Sequence, residues 1–436
     1  MRLLYVVHQF FPECYSGTEQ YCLAAAREGR RRGHDVVILT LDPDFGQGDE
    51  PVLVADRPFD GFQVLRLRHW WALQANEVRL DYENPLVAAR FGQLLRELRP
   101  DAVHFFHLRR LGADWIEVAK AAGVRSVVHL MDYWYLCPRY TLRRSDGSLC
   151  EGPPDGGLGC IPCHHPQLGA WLDPEAGPAA VALANAQLGG SLYSNRPAQV
   201  AALLQRPTAL RQRLERADVV IAPSRFLASV FEQNGFPRGR IEVVPYGLEP
   251  GRVDRVAVDR PRAPLRLGFC GVLSPWKGLD VAVEAVRTMA GDFTFTVHGR
   301  TWEPEFGDYI KRLLARAEAD PRITFAGKYD LGELTAVLAG IDLLVVPSTW
   351  YENTPFVILE AFEAGVPVVA SDLGGMSELI RPGENGFLFT ASDPGALAAV
   401  LQRCVDDPST VAALQPAAPG TIADNFERFL AAYRAA

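Results

Sequence analysis

Apolar runs of strand length alternate with helical segments along most of this chain, and that alternation constrains the fold more than any other feature. Leu3 to Phe10 is an apolar run interrupted only by His8 and Gln9, as in a strand that is buried on both faces. Thr18 to Arg32 has helical composition, and Asp35 to Thr40 returns to strand character. Strands that alternate with helices predict a parallel sheet that carries helices on both faces.

The alternation occurs in two series, which predicts two similar domains. A segment with three prolines and no clear period, Leu248 to Pro264, lies between them and is the expected linker. Residues 217–224 (ADVVIAPS) and 341–348 (IDLLVVPS) repeat one pattern near the end of each half. We therefore predict an α/β protein of two doubly wound, Rossmann-like parallel sheets that face one cleft. The predicted bounds are 1–250 for the first domain, 133–216 for a cysteine-rich insertion within it, 251–420 for the second domain and 421–436 for a final helix that packs back on the first.

Length, composition and charge exclude several classes of protein. The 436 residues are too many for one ordinary core, and 48% apolar with 22% charged residues is typical of globular chains. A formal charge of −8 argues against a protein that binds nucleic acid by covering its phosphates. No apolar run approaches the roughly 18–20 residues of a membrane span, and the short apolar N-terminus does not fit a signal peptide. We expect a cytoplasmic protein, whether or not it works at the inner face of the membrane.

Four loops that follow predicted strands have the chemistry of ligand binding, because open parallel sheets bind ligands at the carboxyl ends of strands, beside helix N-termini. Gly17 lies in the first loop, where a glycine allows close approach of a phosphate to the backbone. The second loop, 271–278, carries Lys277, one of only four lysines, which can neutralise a phosphate. The fourth, 371–376, is another glycine-rich turn. A capping turn and a solvated lysine are the alternative interpretations.

The third loop, 350–356, leads into a helix between two glutamates. Glu352 precedes the helix and Glu360 lies within it, with seven residues between them. Free N–H groups at a helix N-terminus suit a diphosphate, and ionised carboxylates accept hydrogen bonds from sugar hydroxyls. Taken alone, two such glutamates are better explained as solvated acids at a helix cap.

With these motifs the chain resembles glycosyltransferase family 4, whose members are retaining enzymes of the GT-B fold. The strongest resemblance lies in 341–389, where Pro347-Ser348, Glu352 to Glu360, Gly365 to Ala370, Gly374-Gly375, Glu378 and Asn385 to Phe389 match. Further matches are Ser16-Gly17-Thr18-Glu19, Arg32-Gly33-His34, Ala222-Pro223-Ser224 and Lys277-Gly278. The resemblance covers nearly the whole chain.

The resemblance implies roles for single residues. Glu352 would contact the donor sugar, Glu360 the ribose of the nucleotide and Lys277 the diphosphate. The other donor-binding residues that it implies are Gly17, Asn353, Thr354 and Phe356, with Gly327 and Lys328 beside the base. The activity implied is retaining transfer from a UDP-, GDP- or ADP-linked sugar to a hydroxyl of a glycan, lipid-linked glycan or small molecule. Catalysis would need no cofactor, no protein nucleophile and no divalent metal, since the leaving phosphate draws the proton from the incoming hydroxyl.

Two positions depart from the family pattern. Val272 stands where many members have an arginine, and Arg300 is a hypothetical replacement for that charge. Met131 stands where many members have a histidine near the reacting sugar. His129 lies two residues earlier, on the same face of the strand, and is the candidate substitute. The predicted catalytic residues are therefore Glu352, Lys277 and His129.

Four cysteines within 27 residues form the last candidate site. Cys137, Cys150, Cys160 and Cys163 lie on a stretch rich in glycine and proline, and His164 and His165 follow them. Four such ligands predict a closed, structural zinc site. An iron–sulfur cluster and free or oxidised thiols are the alternatives.

Basic residues of the first half point to the acceptor. Arg109, Arg110, Arg139, Arg143 and Arg144 cluster in loops of an otherwise acidic chain. They either form a solvated face or meet an anionic acceptor such as a diphosphate lipid or an acidic glycan. The rival functions are a GT-B epimerase or hydrolase of nucleotide sugars and a non-catalytic protein that binds them. The base, the sugar, the linkage and the oligomeric state do not follow from the sequence.

Overall fold

The computed structural model describes residues 1–42, 52–69, 77–164, 196–256, 264–301 and 303–434. The chain divides into two compact units. The first unit contains 1–223, 227–244 and 423–436, and the second contains 224–226 and 245–422. The division thus falls between Val244 and Pro245, close to the predicted linker. Within the described ranges, no helix is long and apolar enough to cross a membrane.

The first unit is built on an eight-stranded sheet. Its strands are β1 (Arg2–Val6), β2 (Asp35–Leu41), β3 (Val52–Asp56), β4 (Gln63–His69), β5 (Ala102–Phe105), β6 (Arg125–His129), β7 (Val219–Ala222) and β8 (Ile241–Val243). Their order is β3-β4-β2-β1-β5-β6-β7-β8. All neighbouring pairs are parallel except β3 with β4, which run antiparallel. The sheet is therefore mixed rather than parallel throughout, since an antiparallel strand closes one edge.

Seven helices are described with this sheet. They are α1 (Gly17–Arg31), α2 (Glu77–Tyr82), α3 (Pro85–Leu98), α4 (Trp115–Ala121), α5 (Cys160–His164), α6 (Arg196–Glu215) and α7 (Arg225–Gln233). A capping box starts α1, because the Ser16 amide donates to the Glu19 carboxylate at 2.6 Å. The Asn84 side chain caps α3 by accepting a hydrogen bond from the Val87 amide, and Pro85 occupies the first turn. Residues 165–195 of the cysteine-rich insertion predicted at 133–216 lie outside the described residues.

The final helix of the chain, α15 (Ile422–Arg434), packs on the sheet of the first unit. The Tyr21 hydroxyl donates to Asn425 at 2.7 Å, and the ring of His104 lies 2.7 Å from the Tyr433 hydroxyl. The ring of Phe429 packs edge-on against His129. This helix (Ile422–Arg434) therefore covers part of the sheet's apolar surface with residues from the far end of the chain.

The second unit is built on a six-stranded sheet that is parallel throughout. Its strands are β9 (Leu265–Cys270), β10 (Phe293–His298), β11 (Ile323–Gly327), β12 (Leu343–Val346), β13 (Val368–Ser371) and β14 (Gly386–Phe389), in the order β11-β10-β9-β12-β13-β14. The helices are α8 (Leu279–Thr288), α9 (Glu303–Ala317), α10 (Leu334–Ala339), α11 (Phe356–Ala364), α12 (Met376–Leu379), α13 (Pro394–Asp406) and α14 (Ser409–Ala412). Two apolar clusters, one around Phe295 and one around Ile358, make up its core.

Both sheets have a point where the strand order reverses. In the first unit β1 lies between β2 and β5, and in the second β9 lies between β10 and β12. Ligands of such sheets bind beyond the carboxyl ends of the strands at these reversal points. In the second unit, a donor site is therefore expected at the loops after β9 and β12.

Candidate functional site

The loops after β9 and β12 bring Lys277 and Glu352 together. The Lys277 ammonium lies 2.5 Å from Oε1 of Glu352, although the two residues are 75 positions apart. The Ser348 hydroxyl donates to the same carboxylate oxygen at 2.9 Å. The Glu352 side chain is 5% exposed and that of Lys277 is 27% exposed. A buried carboxylate is thus held in a fixed position beside a cation that solvent still reaches.

A glycine turn after β13 fixes the backbone of this carboxylate loop. The amide of Gly375 donates to the carbonyl of Glu352 at 2.7 Å. A Cβ at position 375 would come within 1.6 Å of the Asn353 carbonyl oxygen, so only glycine permits this approach. The glycine-rich turn 371–376, predicted from sequence as a ligand loop, therefore also supports Glu352 directly.

Helix α11 begins immediately after this loop. Pro355 is its N-terminal flanking residue, and Phe356 is its first helical residue. The Thr354 hydroxyl donates to the Asn353 carbonyl at 2.8 Å, which makes a tight turn into the helix. The ring of Tyr246 stacks on Phe356 with centroids 4.9 Å apart. The N–H groups of the first turn carry the positive end of the helix dipole, which suits an anion.

Glu360, one turn further along α11, is held by an arginine that sequence reasoning missed. Arg252 places its Nε 2.6 Å and its Nη2 2.5 Å from Oε1 of Glu360. The Glu360 side chain is 6% exposed. Burial raises the pKa of the Cys270 thiol to about 12, and the Glu360 charge adds to that rise. Partial burial likewise raises the pKa of Tyr329, and the Glu360 charge adds to that rise, so this thiol and this phenol are both neutral.

The remaining donor-binding candidates lie in different places. Arg300 is exposed, and its carbonyl accepts from the Leu273 amide of the 271–278 loop at 3.0 Å. Gly327 ends β11, and Lys328 after it is exposed. Gly17 is the first residue of α1 and belongs to the first unit.

His129 lies in the core of the first unit. Its side chain is 1% exposed, and its ring stacks on those of His104 and Phe106 at 5.6 and 5.9 Å. Burial lowers the pKa of His129 to about 3, so the ring is neutral. An enclosed imidazole of this kind does not reach a substrate. We therefore assign no catalytic role to His129, in contrast to the prediction from sequence.

A different histidine lies at the strand ends. His107, after β5, places Nε2 3.1 Å from Oδ2 of Asp132, after β6. The Arg109 amide donates to Nδ1 of His107 at 3.1 Å, so Nε2 of the neutral ring carries the proton and donates to Asp132. The ring of His8 lies 4.2 Å away, and burial is the main reason that its pKa is well below the usual value. His107 follows an apolar strand in the sequence, and that position is the signal by which it could have been identified as a candidate.

The five arginines of the acceptor hypothesis differ in their surroundings. Arg109 lies 3.6 Å from Asp81 and 4.6 Å over the ring of Tyr140. Three of the five arginines are exposed: Arg110, Arg139 and Arg144. Arg143 donates to the Gly147 carbonyl at 2.9 Å. Arg139, although exposed, donates to the Cys163 carbonyl at 3.1 Å. Several arginines of this group are therefore engaged within the protein, and three of the five are exposed to solvent.

The cysteine cluster does not form the closed zinc site that its spacing predicts. Among the described residues, which include all four cysteines, no three His, Cys, Asp or Glu side chains are gathered as the ligands of one metal ion. The four cysteines form no disulfide. Burial raises the pKa of Cys137 and raises that of Cys160 to about 12, which keeps both thiols neutral. Cysteine spacing indicates the ligand type, but it does not set the distances between sulfur atoms.

Two family models match the chain. "Glycosyl transferase 4-like domain" matches residues 16–247, and "Glycosyl transferases group 1" matches 264–407. The first match alone covers more than half of the chain. This chain belongs to glycosyltransferase family 4. The family predicted from the motifs is thus confirmed.

Curated glycosyltransferases resemble the chain over part of its length. The 2-deoxystreptamine glucosyltransferase of Streptomyces kanamyceticus is 29% identical over 282 residues, 60% of this chain and 71% of that protein. Amylovoran biosynthesis glycosyltransferase AmsK of Erwinia amylovora is 29% identical over 208 residues, 45% of this chain and 50% of that protein. The chain thus spans about half the length of several curated relatives that it matches.

Solved structures agree with the fold. Anabaena Alr3699/HepE in complex with UDP-glucose superposes with a TM-score of 0.59 at 20% identity, over 99% of this chain and 94% of that one. At this identity the likeness shows the fold alone. The prediction of a GT-B glycosyltransferase fold with two Rossmann-like domains is confirmed.

Proposed function

We propose that this glycosyltransferase moves a sugar from a nucleoside-diphosphate sugar to a hydroxyl acceptor with retention of configuration. The observation that carries the proposal is the contact of Lys277 with buried Glu352 beside the N-terminus of α11. A cation, a row of N–H donors and a fixed carboxylate are the groups that a sugar diphosphate requires. The family to which the chain belongs supports the same reaction.

The donor diphosphate would bind between Lys277 and the first turn of α11. Lys277 already faces one anion, and its 27% exposure leaves room for a phosphate to approach the ammonium. Asn353 and Thr354 form the turn into the helix, and we place their backbone groups beside the diphosphate. Glu352 would then accept hydrogen bonds from sugar hydroxyls, because Ser348 and Lys277 engage one of its oxygens and leave the other.

The ribose would bind at Glu360. Both donor atoms of Arg252 bond to Oε1 of Glu360, so Oε2 retains its capacity to accept from a ribose hydroxyl. Arg252 therefore acts through Glu360 as a positioning residue. Exposed Gly327 and Lys328 would lie beside the base, and Arg300 beside the loop that carries Lys277.

Bond formation would need no protein nucleophile. The bond between the anomeric carbon and the diphosphate breaks, and a new bond forms to the acceptor oxygen on the same face of the sugar. The leaving phosphate oxygen takes the acceptor's hydroxyl proton. The protein's part is to hold the two reactants and to offset the charge on the departing diphosphate with Lys277 and the helix N-terminus.

The first unit would bind the acceptor, which we propose to be anionic. Exposed Arg110, Arg139 and Arg144 offer charge to a lipid-linked diphosphate or an acidic glycan. The Asp132 carboxylate, held by His107 and the Trp134 amide, is available to a hydroxyl. An acceptor on a lipid would bring the protein to the inner face of the membrane as a peripheral enzyme.

Calorimetric titration with UDP, GDP and ADP tests the donor half of the proposal. UDP is the first ligand to try, since Alr3699/HepE, which shares the fold, was solved with UDP-glucose. We expect one of the three to bind with a 1:1 stoichiometry, and binding by none would favour a non-catalytic protein. Donor turnover with and without acceptor then separates a transferase from a hydrolase or epimerase, which consumes or converts donor alone.

A further inference from the structure

Two histidines and an aspartate meet at the carboxyl ends of three neighbouring strands of the first unit. Val6 of β1 pairs with Phe105 of β5, so the residues two positions beyond them, His8 and His107, lie side by side. The centroids of their rings are 4.2 Å apart. Asp132 follows β6, the next strand of the sheet, and its Oδ2 lies 3.1 Å from Nε2 of His107. This His8–His107–Asp132 group lies where the strand order reverses, which is where open sheets bind ligands.

The carboxylate of Asp132 is held in place and is still reached by solvent. Its side chain is 23% exposed, whereas that of His107 is 5% exposed. His107 donates to Oδ2, and the Trp134 amide donates to Oδ1 at 2.7 Å. A carboxylate oxygen can accept two hydrogen bonds, so each oxygen keeps the capacity to accept one from a ligand.

Trp134, which supports this carboxylate, is fixed by its own contacts. The residue is 1% exposed, and its ring lies 5.6 Å from that of His107. The indole donates to Asp81 at 2.7 Å, and the Trp134 carbonyl accepts from the buried guanidinium of Arg206. Because the supports are already ordered, a ligand of Asp132 binds without a further cost of ordering them.

His8 contributes a neutral ring with an enclosed nitrogen. Among the residues that the structure describes, Nδ1 of His8 has no hydrogen-bond partner, although the residue is partly exposed. Burial lowers the pKa of His8, and the charges of His107, Arg109 and Arg110 lower it further. A neutral imidazole has one donor and one acceptor, which suits a hydroxyl because a hydroxyl both donates and accepts. An enclosed polar atom without a partner costs free energy, which a bound hydroxyl would offset.

A solvent-facing arginine lies near the same group. Arg110 is exposed, and its charge acts on the ring of His8. The carboxylate of Asp132 repels an anion and accepts hydrogen bonds from hydroxyls, whereas a guanidinium binds a phosphate. A neutral ring, a carboxylate and a cation together suit a sugar phosphate, whose hydroxyls meet the first two and whose phosphate meets the third.

We propose that the His8–His107–Asp132 group binds the hydroxyls of an acceptor sugar that carries a phosphate. Asp132 accepts a hydrogen bond from one hydroxyl, and His8 exchanges a hydrogen bond with the same hydroxyl or its neighbour. Arg110 binds the phosphate, and His107 acts through Asp132 as a positioning residue. The inference rests on the proposed function, which assigns the acceptor to the first unit.

Saturation-transfer NMR with glucose 1-phosphate, galactose 1-phosphate and N-acetylglucosamine 1-phosphate as probes tests the proposal. We expect the wild type to bind at least one of them more tightly than it binds the matching methyl glycoside or inorganic phosphate. His8→Phe should weaken this binding about two- to tenfold, and Asp132→Asn roughly ten- to a hundredfold, as expected for a neutral and a charged hydrogen bond. Neither change should alter binding of inorganic phosphate, which Arg110→Gln should weaken.

Two further variants make the test specific. His34→Phe is the matched control, because His34 is a partly exposed histidine directly before β2, at the opposite edge of the same sheet, and binding should stay unchanged. His107→Gln retains an N–H donor for Asp132, so it should keep more affinity for the sugar phosphate than His107→Phe does. Equal loss in these two variants would remove the positioning role of His107.

Two results would overturn the proposal as a whole. One is a wild-type protein that binds none of the three sugar phosphates, and the other is unchanged binding in folded His8→Phe and Asp132→Asn. Titration of the same wild-type protein with UDP, GDP and ADP separates this failure from that of the proposed function. A protein that binds a nucleoside diphosphate but no sugar phosphate refutes the present inference alone. Thermal unfolding of each variant separates loss of binding from loss of the fold.

Discussion

Removing the ammonium of Lys277 should weaken nucleoside diphosphate binding. It should also lower the stability of the ligand-free protein, because the buried carboxylate of Glu352 is left without its cation. Lys277→Met deletes the 2.5 Å ion pair with Glu352, whose side chain is only 5% exposed. Losing a hydrogen bond between a diphosphate and a charged group costs about 1.5–3 kcal/mol, roughly ten- to a hundredfold in Kd. Titration calorimetry with the diphosphate that the wild type binds measures this loss.

The stability of the ligand-free protein is the second readout of the same variant. Exposed ion pairs contribute about 1 kcal/mol or less, whereas breaking a buried pair costs about 3–5 kcal/mol. Because Lys277 is 27% exposed, we expect Lys277→Met to cost between these limits, roughly 1–3 kcal/mol. Lys277→Met with Glu352→Gln should recover part of that stability but none of the diphosphate affinity, since the double variant has no unpaired carboxylate.

Lys311→Met is the matched control, since it makes the same change at an exposed lysine of the same unit. Glu352→Gln alone should leave diphosphate binding nearly intact and lower turnover at saturating donor, because its ligand is the sugar. The reasoning is refuted if Lys277→Met weakens diphosphate binding no more than Lys311→Met does. Equal loss of diphosphate affinity in Lys277→Met and Glu352→Gln would also refute the division of roles.

Three further predictions follow from other contacts. Glu360→Gln and Arg252→Met should each weaken diphosphate binding and reduce the preference for the ribonucleotide over its deoxyribose analogue. Calorimetry measures both affinities, with Arg255→Met as the control variant. An unchanged preference would contradict the assignment of Glu360 to the ribose. Replacing Arg110, Arg139 and Arg144 together by glutamate should weaken acceptor binding by tenfold or more at low salt, and much less at high salt. The control variant, Arg238→Glu with Arg240→Glu, should leave acceptor binding unchanged. Equal weakening by the two sets of substitutions would contradict an anionic acceptor. His129→Phe should leave turnover within about twofold and should shift acid unfolding to lower pH. The pKa of His129 is about 3 in the folded state and about 6.5 in the unfolded state, so between these pH values the unfolded state binds more protons. The histidine therefore destabilises the fold as the pH falls through this range, and its removal abolishes that effect. A large loss of turnover in a variant that is folded would restore a catalytic role to His129.

The fold could be predicted from sequence because each strand of a parallel sheet is buried on both faces. Runs such as Leu3 to Val7 are therefore continuous in apolar character and easy to recognise. The antiparallel strand β3 was missed, since Val52–Asp56 is short and lies at the sheet edge, where one flank is open. Edge strands do not show the same continuous burial.

The site was predictable in its residues but not in its pairings. Strand ends and helix starts identified Lys277, Glu352 and Glu360 as candidates. The partners of these residues come from far along the chain: 75 positions separate Lys277 from Glu352, and 108 separate Arg252 from Glu360. Local patterns indicate where a loop lies, and only the folded chain shows which charges meet.

His129 illustrates the same limit of sequence patterns, because a residue predicted to lie in the site is instead buried in the core. Alternation along a strand indicates which face a side chain is on, but not what covers that face. Here Phe429 of the final helix, 300 positions away, packs edge-on against the imidazole. His107, at the open end of the neighbouring strand, meets Asp132 instead.

Sugar transfer itself is the most direct test of the central claim. The purified protein is incubated with UDP-, GDP- and ADP-linked sugars and a set of hydroxyl acceptors that includes lipid-linked diphosphates and acidic glycans, and products are followed by mass spectrometry and proton NMR. We predict that one donor yields a product heavier than the acceptor by one sugar, with the anomeric configuration of the donor, and that Glu352→Gln yields far less. Release of free sugar at the same rate with and without acceptor, or a product of inverted configuration, would contradict retaining transfer.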